Sequence, residues 1–137
     1  MCQCSESGTF KAFKFWEEEQ VETHHEIDRE RFIAAWEEMQ AEVHHIACEK
    51  GWWETDRSDG EIIALIHSEL SEALEACRKG NPADKHIPQH KNVEVELADA
   101  VIRIMDFAGS RGFDIAMALV DKVEFNRSRP YKHGKIF

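Results

Sequence analysis

The chain has 137 residues, 42% of them hydrophobic and 9% aromatic, with 27 Asp and Glu against 17 Lys and Arg for a formal net charge of −10. That length fits one domain whose core needs no disulfide or metal staple. The acid surplus argues against a nucleic-acid polymer or an anionic membrane as partner, because a polyanion is repelled on average. Seven Gly and three Pro are few, which favours helix over a loop-rich or all-β fold.

Residues 1–26 are polar, with an aromatic cluster (Phe10, Phe13, Phe15, Trp16) and no helical or strand period, and read as an N-terminal extension. They open on MCQCSESGTF, which has neither the basic nor the apolar region of a secretory signal. No run anywhere is apolar for the length that crosses a bilayer, so the expected setting is cytoplasmic, with reduced thiols and no membrane partner. Cys2 and Cys4 have no CxxC companion to complete a zinc site, and Cys48 and Cys77 read as small core residues.

Thr23 and Glu26 form a possible capping box ahead of the first periodic run. There Phe32, Trp36, Met39, Val43 and Ile46 share one helical face, with Gly51 as the stop. Ser58 and Glu61 open a second helix with Ile62, Ile66, Leu70, Ala73 and Cys77 along a stripe, closed by Gly80. Pro82 and Pro88 mark residues 81–91 as a loop. Asn92 is the expected cap of a third helix, with Val93, Leu97, Val101, Ile104 and Ala108 inside and Gly109 as its end. Asp114 is the expected cap of a fourth, burying Ile115, Leu119 and Val123 and ending before Pro130. The expectation is an all-α four-helix domain over residues 27–137.

The residues that carry chemistry lie on the second and third helices. Glu69 and Glu72 are three apart, hence one turn apart on one face, and Glu96 and Asp99 repeat the spacing. A helix, a loop and a returning helix would set the two pairs opposite each other. Such pairs are ordinarily just a solvated face. Here, though, Leu70, Ala73, Leu74, Leu97, Ala98 and Ala100 place them beside the apolar seam. No lysine stands at i±3 or i±4 to offset them, although Arg103 lies one turn beyond Asp99. Hard oxygen donors without sulfur or imidazole suit Mg²⁺, with Mn²⁺ as a substitute.

The segment HSELSEALEACRKGNP…VEVELADAVIRIMDFAG, with Glu69xxGlu72 followed by Glu96xxAsp99, resembles the MazG-like all-α nucleoside triphosphate pyrophosphohydrolases. The resemblance covers about residues 27–137 and is most specific between 58 and 110. It implies a MazG-like bundle with Glu69, Glu72, Glu96 and Asp99 as Mg²⁺ ligands and catalytic carboxylates, and Glu75 in a supporting role. The implied reaction takes a nucleoside triphosphate to the monophosphate and pyrophosphate. It also implies a homodimer or a dimer of dimers. Against the enzyme stands an inactive helical module that only binds a nucleotide or another protein.

Residues 122–135 carry five Lys or Arg and one acid, Glu124. Lys122, Asn126 and Arg129 share a face, which suits either triphosphate oxygens or the negative end of a helix dipole. The tail NRSRPYKHGK resembles the phosphate-gripping tail of one MazG-like branch. That adds Tyr131, Lys132 and His133 as phosphate contacts and leans the substrate toward purine deoxynucleotides. Trp52 and Trp53, between two helices, are candidates for stacking on the base. The alternative is that one of these indoles belongs to the core and the other to a subunit contact. His44 and His45 read as boundary residues, and His67 as packing.

Overall fold

The computed structural model describes residues 28–131. Four helices follow in order: α1 (Arg29–Glu49), α2 (Asp59–Arg78), α3 (Asn92–Arg111) and α4 (Ile115–Arg127). No strand occurs among the described residues, so the fold is all-α. The Thr23–Glu26 box, Cys2, Cys4, Lys132 and His133 lie outside the described residues. There is no described helix long and apolar enough to cross a membrane.

Local chemistry explains most of the boundaries. Asp28 caps α1 by accepting from Arg31 N–H at 3.2 Å, Ser58 caps α2 from Glu61 N–H at 3.2 Å, and Asp114 caps α4 from Met117 N–H at 2.9 Å. At the end of α2, Asn81 N–H donates to the Ala76 carbonyl and Gly80 N–H to Cys77. This paired closure requires a left-handed residue, supplied by Gly80 at φ +81°.

Two expected caps are corrected. Asn92 is the first residue of α3, not its cap; Lys91 stands at the cap position, and the Val93 N–H is satisfied by Asn81 Oδ1 at 3.0 Å. The acceptor therefore comes from the far end of the loop, tying α2's exit to α3's entry. Gly109 does not end α3 either, since Gly112, at φ +67°, does. A Cβ at Gly109 would sit 2.8 Å from His44 Cβ, so this glycine serves the close approach of α3 to α1. Gly109→Ala is expected to cost about 1–3 kcal/mol in urea unfolding, whereas Gly60→Ala, which opens on empty space, stays within about 0.5 kcal/mol of the parent. Equal effects at the two glycines would remove the packing argument.

The most extensive helix pair is α2 with α3, followed by α1 with α3, while α4 leans on α1. The buried apolar residues are Ile62, Ala73, Ala76, Ala100, Met105, Ala108 and Ala116. Small side chains at the α2–α3 crossing let the two backbones approach closely. Much of each predicted stripe stays uncovered: Met39, Ile46, Leu70, Leu97, Val101, Leu119 and Val123 are exposed. So are Cys48, Cys77 and His67, which therefore are not core residues. The reason is geometric, because α2 and α4 each pack mainly on one neighbour and α4 touches α1 only lightly, so the stripes are wider than what covers them.

Candidate metal centre

The antiparallel α2–α3 crossing brings both carboxylate pairs to one cleft of about 850 Å³, which Glu69, Glu72, Glu96 and Asp99 all line. Ligand oxygens of Glu69, Glu72 and Glu96 lie within 4.8 Å of one another. Glu69 is buried at 6% exposure, with Arg103 Nε donating to its Oε1 at 2.5 Å. The arginine one turn beyond Asp99 thus reaches across to the other helix.

The loop adds a fifth carboxylate that sequence spacing did not single out. Asp84 lines the cleft, and its Oδ1 accepts from the backbone N–H of His86 (2.7 Å) and Ile87 (2.8 Å). Those two bonds hold its carboxyl below the ordinary range. The cleft pushes the other way on α3. Burial first, then the charges of Glu72, Asp99 and Glu69, raise Glu96. Burial and Glu69 raise Asp99, partly offset by the Arg103 guanidinium. Acids held near each other with raised protonation constants attract a cation, since the cation removes the repulsion that raised them.

The donor set is all oxygen, converges from two helices and suits a hard divalent ion such as Mg²⁺ or Mn²⁺. The cleft is not purely acidic, for Lys50, Arg57, Lys85 and Arg103 also line it. Arg57 Nε and Asn92 Oδ1, on two of its lining residues, are buried without a hydrogen-bond partner among the described residues. Buried polar atoms of that kind call for a polar ligand or water.

The two indoles separate. Trp52 is 60% exposed and lines the cleft, with the Arg57 guanidinium 5.6 Å from its ring centroid. Trp53 is turned to structural use: its Nε1–H donates to Asp106 Oδ1 at 2.8 Å and its ring meets His44 edge-on. Lys122, Asn126, Arg129 and Tyr131 are exposed and outside the cleft lining, with Lys122 and Arg129 both set over the Phe125 ring. Glu75 pairs with Arg78 and Lys79 on the outer surface and does not line the cleft. Comparison with family models, with curated proteins and with solved structures finds no match to this chain.

Proposed function

We propose that the protein is a Mg²⁺-dependent nucleoside triphosphate pyrophosphohydrolase, cleaving between the α and β phosphates to release a monophosphate and pyrophosphate. The observation that carries this reading is the convergence of Glu69, Glu72 and Glu96 within 4.8 Å, in a cleft that cationic side chains also line. Glu69, Glu72, Glu96 and Asp99 would hold the ion. Bound there, Mg²⁺ would supply Lewis-acid stabilisation of phosphate charge and a more acidic water. Lys50, Arg57 and Lys85 supply positive charge for triphosphate oxygens, and the exposed indole of Trp52 offers a stacking face for the base. Purine deoxynucleotides remain the favoured class through the resemblance of the tail.

The test is to incubate the protein with Mg²⁺ and a panel of ribo- and deoxynucleoside triphosphates and to identify the products. Monophosphate and pyrophosphate are expected; orthophosphate and diphosphate alone would exclude this bond as the target. A second reading has one observation in its favour, because the Arg103–Glu69 ion pair neutralises part of the cluster without any metal. On that reading the chain is a helical binding module, with no turnover and no response to Mg²⁺.

The response to Mg²⁺ at neutral pH, where the cluster is most strained, separates the two. Glu96 and Asp99 have raised folded-state constants, so the folded chain holds their protons more tightly than the unfolded one. That stabilisation is complete below the ordinary carboxylate range, about pH 4, and is lost as pH rises through the raised values. Glu96→Gln is therefore expected to match the parent below about pH 4 and to melt higher at pH 7 without metal. Mg²⁺ at tenfold its Kd should stabilise the parent by about 1.4 kcal/mol, about 5 °C. No metal shift at neutral pH would favour the binding module.

Self-association, as a homodimer or a dimer of dimers, belongs to the same proposal. Leu70, Leu74, Leu97 and Val101, on the two helices that build the cleft, are all exposed in one chain. Light scattering should report a multiple of the chain mass; an active single-chain species would contradict it. A cytoplasmic setting, the third part of the proposal, suits the free thiols of Cys48 and Cys77.

A further inference from the structure

Next to the carboxylate cleft, which Asp106 also lines, three residues form a relay that the hydrolytic reading does not use. Cys48 is exposed and its Sγ lies 3.7 Å from Nε2 of His44, one helical turn earlier. His44 Nδ1 in turn lies 2.7 Å from Asp106 Oδ1 on α3. Asp106 Oδ1 also accepts the Trp53 Nε1–H, and a carboxylate oxygen has no hydrogen to give. The His44–Asp106 bond therefore places the hydrogen on Nδ1 and leaves the Nε2 lone pair facing the thiol. Gly109 lets the imidazole fit between the helices, and the Trp53 ring, centroid 5.5 Å away, packs edge-on against it. Cys48, His44 and Gly109 line a separate pocket of about 460 Å³. Nucleophile, base and orienting carboxylate thus stand in the order that activates a thiol.

We propose that Cys48 is a site of reversible modification by low-molecular-weight disulfides, with His44 as the base and Asp106 as its positioning residue. The Sγ proton passes to His44 Nε2 as Sγ attacks one sulfur of the incoming disulfide. A new S–S bond forms to Cys48 while the incoming one breaks. The departing half leaves as a thiolate and takes the proton back from Nε2, so one thiol is consumed and one released. The other charged groups around this thiol are Glu37 in the pocket lining, the His45–Glu49 pair on α1, and Arg57 and Arg111 stacked on Trp53. The two arginines favour thiolate attack, while Glu37 and Glu49 oppose it.

The experiment uses the full chain with Cys2, Cys4 and Cys77 each changed to Ser. Its probes are 5,5′-dithiobis(2-nitrobenzoic acid), followed by absorbance, and oxidised glutathione, followed by intact mass. The folded chain is expected to react at least about tenfold faster at pH 7 than the same chain in urea, and reduced glutathione should reverse the adduct. His44→Ala should abolish the acceleration, and added imidazole should restore it with saturation, which a purely structural histidine would not show. Asp106→Asn should lower the rate part of the way. His44→Gln, whose amide can keep the bond to Asp106, decides the matter if His44→Ala loses its helical circular dichroism. A folded rate no greater than the unfolded one, or a His44→Gln rate within twofold of the parent, overturns the proposal.

Discussion

Glu72→Gln is expected to lower turnover of a deoxynucleoside triphosphate at least about a thousandfold at saturating Mg²⁺, about 4 kcal/mol of barrier. Its helical content should match the parent's and its metal-free melting temperature should be no lower. Glu72 is the best residue for this test because it is the exposed member of the converging triad. Glu69, in contrast, is buried and paired with Arg103, so its replacement mixes chemistry with stability. The Glu72 charge also raises Glu96, and removing it relieves repulsion without creating any. Loss of turnover with an intact fold therefore reports on the reaction itself. Steady-state pyrophosphate release and circular dichroism melts give both readings, and retention of more than about a tenth of the parent rate would exclude Glu72 from the machinery.

The helices and the carboxylate cluster were legible in the sequence for a physical reason. Caps such as Ser58 and Asp114 act over three residues, and the pairs Glu69/Glu72 and Glu96/Asp99 each span one turn, so local periodicity determines their geometry. A loop of about a dozen residues then leaves α3 little choice but to return along α2. What required the structure is information that lies across helices. Arg103 is three and four residues from acids on its own helix, yet it serves Glu69 on the neighbouring one. Asp84 joins the cleft through loop hydrogen bonds that no period announces. Gly109 has the composition of a helix stop and the function of a close contact, which only the position of His44 reveals. Leu119 and Val123 fit an apolar stripe but remain exposed, because periodicity specifies a face and not what covers it. In the same way the spacing of Lys122, Asn126 and Arg129 puts them on one face and leaves open where α4 carries that face.

Arg103→Met is expected to weaken the fold through charge rather than packing. It leaves the Glu69 carboxylate, only 7% exposed, beside Glu72 and Glu96 with its closest cation gone. Stranding one partner of a buried ion pair costs about 3–5 kcal/mol. Arg103 keeps 35% of its own exposure, so water screens the pair and about 2 kcal/mol is the better expectation, near 7 °C in melting temperature. Urea unfolding without metal measures it, and a variant within about 0.5 kcal/mol of the parent would show that the pair contributes little. Adding Glu69→Gln should recover more than half of the loss, because an amide needs no counter-charge, and the Glu69→Gln single variant completes the cycle that gives the coupling energy of the two residues. Mg²⁺ then discriminates between the two functional readings. If the cluster takes the ion, Mg²⁺ supplies the positive charge that Arg103 no longer provides and stabilises Arg103→Met more than it stabilises the parent. If Arg103 is the only cation the cluster is built for, Mg²⁺ leaves the deficit unchanged.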